Sequence, residues 1–119
     1  MNLLEAWPLY ARDKKLLNYS KHTLKAYAIQ IKLLVRGIGN IELNDVTREI
    51  LKNYLAAQEH LKPASIGHRI RFIRSFFRWA VDEGYVSKNP AAKLYEPKQV
   101  TRIPKFLNEE DTETLREVK

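Results

Sequence analysis

The segment from Ser65 to Val81 constrains the fold most, because it predicts one helix with three chemically different strips. At the helical period, one strip is apolar and consists of Ile66, Ile70, Ile73, Phe77, Ala80 and Val81. A second strip is aromatic and consists of Phe72, Phe76 and Trp79. The third strip carries Arg71, Arg74 and Arg78, with Gly67 among them and His68 and Ser75 just beyond. The apolar strip must be buried, whereas the arginine strip must stay outside the core.

The surroundings of these arginines indicate an external anionic partner. No Asp or Glu occurs from Leu61 to Val81, so no carboxylate is within reach along the same helix. The whole chain has 21 Lys and Arg against 14 Asp and Glu, a formal charge of +7, which favours nucleic acid or another anionic surface. The alternative is a solvated face whose arginine stems cover apolar neighbours.

The first segment predicts a helix with one irregularity. Apolar residues recur at helical spacing from Leu3 to about Leu17, at Leu3, Leu4, Trp7, Tyr10, Ala11 and Leu17. Pro8 interrupts this pattern. Either the regular helix begins near Trp7 with the proline in its first turn, or the segment is kinked at Pro8. Residues 18–20 are predicted to separate this helix from the next one.

A second basic helix is predicted from Lys21 to Val35, with Ser20 or Thr23 as its cap. Its apolar face consists of Leu24, Tyr27, Ala28, Ile31, Leu34 and Val35. One flank of that face carries Lys21, Lys25 and Lys32. Because no acidic residue occurs from Lys14 to Ile41, this helix repeats the pattern of the arginine-rich one.

The remaining segments complete an all-α prediction. Gly37 and Gly39 place a loop at residues 36–44, and a third helix follows to about Glu59, with Asn44, Asp45 or Thr47 as its cap. This third helix is less basic, so we expect it to have a packing role. The arginine-rich fourth helix begins at Pro63 or Ala64 and ends at Gly84. Residues 91–94 can form one helical turn.

The rest of the composition limits the possible functions. A chain of 119 residues suits one compact domain, here residues 1–95, followed by an extended linker at 96–106 and a truncated helix at 107–119. Pro97 and Pro104 exclude a regular helix in the linker. The absence of cysteine removes disulfides, thiol catalysis and thiolate metal sites. With no signal-like h-region and no long apolar run, we expect a cytoplasmic protein without a membrane partner.

An ordered series of motifs resembles the N-terminal part of a tyrosine recombinase of the phage-integrase type. The motifs are SKHTLKAY from Ser20, DVT from Asp45, NYL from Asn53, ASI from Ala64, IRSFFRWA from Ile73, EGYVSKNP from Glu83, PK at Pro97 and IPKFLNEED from Ile103. The resemblance implies that residues 1–95 are the core-binding domain, a small four-helix SAM-like bundle. It also implies that 96–106 is the interdomain linker and that 107–119 starts the catalytic domain.

The resemblance further implies that the two domains clasp duplex DNA, with the second and fourth helices of the core-binding domain in the major groove. The residues implied as DNA contacts are Lys21, His22, Thr23 and Lys25 from the second helix, Ser65, His68, Arg69, Arg71, Arg74 and Arg78 from the fourth, and Lys98 from the linker. The implied partners are double-stranded DNA, the catalytic domain of the parent chain and further copies of the parent on DNA. No cofactor is implied. The catalytic residues of the family belong to a domain that this chain barely begins, so the fragment itself is not expected to be an enzyme.

Several other patterns have simpler explanations. His68 and Arg71 form an H-x-x-R motif with Tyr95 downstream, but we interpret it as part of the contact helix, because a phosphoryl-transfer site needs several cations converging on one phosphate. His22, His60 and His68 do not have the spacing of a common zinc site, so no metal is expected. Gly67 lowers helix propensity but would let a phosphate approach the backbone.

Two alternative functions remain open at this point. One is a helical interaction module, in which the aromatic strip of Phe72, Phe76 and Trp79 forms a groove for a protein partner, although aromatic residues at this spacing are more often core. The other is a stand-alone DNA-binding regulator, which the linker and the unfinished last helix disfavour.

Overall fold

The computed structural model describes residues 1–58 and 60–95 and shows a bundle of four helices in that part of the chain. The helices are α1 (Leu3–Leu16), α2 (Lys21–Ile38), α3 (Arg48–Ala56) and α4 (Pro63–Asp82), with one short 3-10 helix at Leu43–Asp45. Over these residues the only β-type pairing is an isolated bridge between Asn2 and Glu42. The prediction of an all-α, four-helix architecture is therefore confirmed. The predicted linker at 96–106 and the last helix at 107–119 lie outside the described residues.

The helix starts follow from local side-chain caps. In α1, Asn2 Oδ1 accepts from the Glu5 backbone N–H and Glu5 Oε1 accepts from the Asn2 N–H, both at 2.9 Å, a reciprocal capping box. This box starts the helix at Leu3 and leaves Pro8 inside it, so a start near Trp7 is wrong. Ser20 caps α2 by accepting from the Thr23 N–H at 3.1 Å.

Later boundaries differ from the predictions in places. Thr47 caps α3 by accepting from the Ile50 N–H at 3.1 Å, whereas Asn44 and Asp45 lie in the preceding 3-10 helix. The third helix stops at Ala56 instead of continuing to about residue 59. Residues 91–94 form a turn and not a helix, and the Asn89 side chain accepts from the Ala91 N–H at 2.9 Å.

The α2 helix passes through its first glycine and ends at the second. A Cβ atom at Gly37 would lie 2.5 Å from Tyr54 Cδ1, so the ring of Tyr54 packs directly against the α2 backbone. Gly39 has φ +92°, a conformation that ends the helix and favours glycine. The predicted loop start at residue 36 is therefore wrong, because Gly37 is a packing site within the helix and not a breaker.

The seam between α1 and α4 forms the aromatic centre of the core. Tyr10 is fully buried, and its ring centroid lies 5.3 Å from that of Phe76 and 5.5 Å from that of Trp79. Its hydroxyl is 2.8 Å from Ser75 Oγ. Burial raises the pKa of Tyr10. The neutral phenol therefore contributes both packing and a hydrogen bond to the seam.

A second polar contact crosses the same seam. Trp79 Nε1 donates to Asp13 Oδ2 at 2.8 Å, and Arg12 Nε donates to Asp13 Oδ1 at 2.9 Å. The hydrogen bond from Trp79 and the neighbouring Arg12 hold the pKa of the Asp13 carboxyl below its usual value. The ionised carboxylate is therefore the form that joins α1 to α4.

The burial of residues along α4 contradicts two of the predictions made from sequence. Phe72 and Phe76 have 0% and Trp79 4% of their surface exposed, because α1 covers them. The alternative in which these three rings form a docking groove for a protein is therefore wrong. Gly67 is also buried, so the expected close approach of a phosphate to its backbone is wrong too.

The outer surface has two further features. Leu4 and Leu17 were expected on the apolar face of α1 but are largely exposed, since the capping box and the helix end turn them outward. Among the residues that the structure describes, no helix combines the length and apolar character needed to span a bilayer.

We expect Gly37→Ala to destabilise the protein. Intrinsic helix propensity alone would make alanine better than glycine by about 1 kcal/mol. The new methyl group would instead overlap the buried Tyr54 ring, and overpacking of this kind costs about 1–3 kcal/mol. Urea denaturation monitored by circular dichroism measures the difference, and a gain in stability would show that the ring has room to move.

We expect the stabilising effect of Asp13 to depend on pH. Because its folded-state pKa is lowered, the contribution is fully present above the unfolded value of about 3.9 and is lost as the pH falls through the folded value. Wild type should therefore be more stable than Asp13→Asn near pH 6, and the difference should shrink below about pH 4. Thermal denaturation across this range measures it, with Asp45→Asn as the control at an exposed position. A difference independent of pH would contradict the role of the ionised carboxylate.

Candidate nucleic-acid interface

The arginine strip of α4 lies on the outside of the bundle. Arg71, Arg74 and Arg78 are all exposed, because the apolar and aromatic strips of the same helix are both taken up by the core. His68 is also exposed, and its Nδ1 is 3.3 Å from Arg71 Nη1. A guanidinium can only donate, so Arg71 is the donor in this contact. His68 and Arg71 therefore lie side by side on the exposed face of α4.

Four basic side chains of this surface form no ion pair with a carboxylate of the described residues. Over residues 1–58 and 60–95 the ion pairs join the Met1 amine to Glu42, Arg12 to Asp13, and Lys52 to Glu49. None of these pairs includes Lys21, Lys25, Arg74 or Arg78. In the described part of the chain these four cations are thus not neutralised by an acidic neighbour.

The two basic helices share a cleft. This α2–α4 cleft has a volume of about 390 Å³ and is lined by Ala26, Tyr27 and Gln30 of α2, by Ser65, His68, Arg69 and Arg71 of α4, and by Leu61. The helices are joined beneath it by Tyr27 and Phe72, whose ring centroids are 5.2 Å apart. Lys21, His22 and Lys25 are exposed at the N-terminal end of α2. The structure therefore brings α2 and the predicted residues of α4 together at this cleft, whereas the predicted α2 residues are not among its lining residues.

A second depression continues from the first. This α1–α4 groove has a volume of about 620 Å³ and is lined by Lys14, Tyr19, Arg71, Arg74, Ser75, Arg78, Trp79, Asp82, Asn89 and Ala92. Arg71 borders both depressions, so together they form one continuous basic surface.

Sequence reasoning did not nominate Lys14 or Tyr19. The Lys14 ammonium is 5.5 Å from the ring centroid of Tyr10 and 5.5 Å from that of Tyr19. The available signal was the spacing of Tyr10 and Lys14, four residues apart on one helix face.

Two of the predicted contact residues also have roles inside the bundle. Arg69 is half-buried, donates from Nη1 to the Tyr54 hydroxyl at 2.7 Å and has its guanidinium carbon 5.8 Å from the centre of that ring. Burial is the main reason that the pKa of Tyr54 is raised, although Arg69 opposes it. The Thr23 hydroxyl accepts from Ser20 Oγ at 2.9 Å within the cap of α2.

The other candidates are placed as follows. Ser65 is exposed in the first turn of α4. Lys98 lies outside the described residues. Among the residues that are described, no three His, Asp or Glu side chains lie close enough together to hold a metal ion.

Sequence comparison matches the chain to known proteins. Residues 14–84 match the family model of the phage integrase N-terminal SAM-like domain. A curated relative, the tyrosine recombinase XerC of Bacillus licheniformis, is 38% identical over 124 aligned residues, which cover 98% of this chain and 40% of the relative. The chain thus spans about two-fifths of the length of that relative.

Solved structures agree with the sequence comparison. A lambda integrase fragment, in a crystal structure of a dimer bound to a COC' core site, superposes with a TM-score of 0.75 at 25% identity, over 86% of this chain and 38% of that one. The integrase-like domain from Bacillus cereus, determined by NMR, superposes with a TM-score of 0.70 at 27% identity, over 82% and 85% of the two chains. Because the family model covers more than half of the residues, the chain belongs to the phage integrase N-terminal SAM-like domain family of the tyrosine recombinases.

Proposed function

We propose that this chain is the core-binding domain of a site-specific tyrosine recombinase and grips duplex DNA during integration and recombination. The observation that carries the proposal is the continuous basic surface formed by the α2–α4 cleft and the α1–α4 groove. Lys25, Arg74 and Arg78 on this part of the protein have no ion pair with the described carboxylates. A surface of this kind attracts a polyanion, and the resemblance to a lambda integrase bound to its core site favours duplex DNA.

The proposed division of labour follows from side-chain chemistry. Lys and Arg fix the position of the protein on phosphates, while base edges are read by side chains that reach into the major groove. Arg71 carries guanidinium N–H donors, which suit the N7 and O6 acceptors of guanine, and His68 lies beside it. His22 is exposed and remains a candidate for the same task. Thr23 is a weaker candidate, since its hydroxyl already takes part in the cap.

The chemistry of strand exchange belongs, in this proposal, to a further part of the parent protein. The curated relative is more than twice as long as this chain, and the resemblance assigns residues 107–119 to the start of its catalytic domain. We interpret the H-x-x-R motif of His68 and Arg71 as part of the DNA contact surface. The parent would assemble with further copies on DNA, as the dimeric lambda integrase structure favours.

We expect Lys25→Ala and Arg74→Ala to weaken duplex binding. Each variant removes one phosphate contact, so the slope of log affinity against log salt, about −3 for three to four contacts, should become less steep by about 0.9. Fluorescence anisotropy with a labelled duplex over a salt series measures both quantities. The fragment should bind weakly, with Kd of about 10⁻⁴ to 10⁻⁶ M.

Lys52→Ala is the matched control for these variants. Lys52 is an exposed lysine of α3, a helix that carries none of the proposed contact residues, so its loss changes the net charge equally without touching the proposed surface. Equal losses of affinity in all three variants would reduce the proposal to a general charge effect.

We expect Arg69→Ala and Arg74→Ala to differ in stability. Removing Arg69 leaves the buried Tyr54 hydroxyl without its donor, which costs about 1–3 kcal/mol. Arg74 is exposed, so its loss should change the free energy of unfolding by less than about 0.5 kcal/mol. Chemical denaturation compares the two variants, and a large loss in Arg74→Ala would contradict its placement on the binding surface.

A further inference from the structure

We propose that the α1–α4 groove is a phosphodiester-binding site and that Lys14 of α1 is one of its contact residues. The resemblance assigns DNA contacts to α2, α4 and Lys98 of the linker, and the predicted site residues include neither Lys14 nor any other residue of α1. The inference rests on the proposed function, because it extends the same DNA-binding surface onto a third helix. The ligand is the sugar-phosphate backbone of the duplex, beside the bases that face the α2–α4 cleft.

Lys14 is held in position by two aromatic rings. Its side chain is half-buried, and its ammonium lies 5.5 Å from the centroids of two aromatic rings, those of Tyr10 and Tyr19. Tyr10 is itself fixed in the core, so one side of the lysine is held by a rigid group. Such contacts attract the cation without neutralising it. Lys14 is therefore oriented in advance, and less side-chain entropy is lost when it binds an anion.

Asp13, the acidic neighbour of Lys14 in sequence, already accepts two side-chain hydrogen bonds. Both oxygens of Asp13 accept hydrogen bonds, one from Trp79 and the other from Arg12. In the part of the chain that the structure describes, Lys14 forms no ion pair with a carboxylate. Lys14 contributes to the lowered pKa of Asp13 through its charge, but it forms no direct ion pair with that carboxylate and lines the groove.

The residues that line the groove also suit an anionic ligand. Lys14 from α1 and the arginine strip of α4 both line the groove, and Asp82 is the single carboxylate among the described residues that line it. Asn89 also lines the groove. Its side-chain oxygen accepts from the Ala91 N–H, which leaves its amide N–H₂ as a donor. Cations on two walls with an additional neutral donor suit a phosphodiester, which offers one negative charge and several acceptor oxygens.

The size of the groove also suits this ligand. A volume of about 620 Å³ accommodates a short stretch of nucleic-acid backbone. Arg71 connects this groove to the α2–α4 cleft. One strand can therefore pass from the cleft along Arg74 and Arg78 to the end of α1, which lengthens the contact beyond the major groove.

Lys14→Gln and Lys15→Gln form a matched pair for the test, since Lys15 is an exposed lysine of the same helix end that does not line the groove. Affinity for a random-sequence duplex of about 20 base pairs, two helical turns, is measured by anisotropy over a salt series. We expect the salt slope of Lys14→Gln to become less steep by about 0.9 and that of Lys15→Gln to match wild type. Lys14→Arg, which keeps the charge, should retain the wild-type slope.

The outcomes separate this inference from the proposed function. If Arg74→Ala weakens binding but Lys14→Gln leaves affinity and salt slope unchanged, the groove is not a phosphate site, although the DNA-binding function stands. Equal changes in Lys14→Gln and Lys15→Gln also overturn the inference, because they indicate a general charge effect. If wild type does not bind the duplex, both fail. NMR shifts of the Lys14 and Tyr19 amides on titration with duplex give a readout in the unmodified protein, and unperturbed amides would likewise overturn the site.

Discussion

The packing of Tyr10 and Asp13 against α4 determines the orientation of every functional side chain on that helix. Two polar atoms are paired across this seam, the Tyr10 hydroxyl with Ser75 and the Trp79 indole with Asp13. Rotation of α4 by one strip would leave a buried phenol and an indole N–H without partners, which costs about 1–3 kcal/mol for each group. The seam therefore determines the rotation of α4 about its axis as well as stabilising the fold. It holds the arginine strip in the one orientation that faces solvent.

That orientation creates an electrostatic cost in the free protein. Arg71, Arg74 and Arg78 are three or four residues apart, a spacing at which like charges on a helix repel by about 0.2–0.5 kcal/mol per pair. Lys14 adds a further positive charge across the groove. A phosphate backbone would relieve this repulsion on binding. Since a ligand that binds only the folded state stabilises it, the same charges that weaken the free domain would strengthen the bound one.

The sequence predicted the elements of this fold better than their details. Periodicity correctly gave four helices and the burial of Ile70 and Ile73 in α4, and the candidate caps included Ser20 and Thr47, which the structure shows as the caps. The predictions for Gly37 and Gly67 were wrong for the same reason. From sequence alone the residue that packs against a glycine is unknown, so the glycine is interpreted as a helix breaker or as exposed backbone. Arg69 is similar. It is the same residue type as the arginines around it, but only the packing of α3 against α4 shows that it donates a hydrogen bond to Tyr54.

Lys14 illustrates why the limits of the proposed binding surface could not be set from sequence. Lys14 and Lys15 both lie in the last turn of α1, where the helix dipole alone favours cations, so their presence needed no further explanation. They differ only in three dimensions. Lys14 is half-buried between two tyrosine rings at the edge of the arginine strip, whereas Lys15 is exposed and lines no groove. A resemblance transfers the contacts assigned to the family, but a cation outside that set becomes evident only when the helices that surround it are placed together.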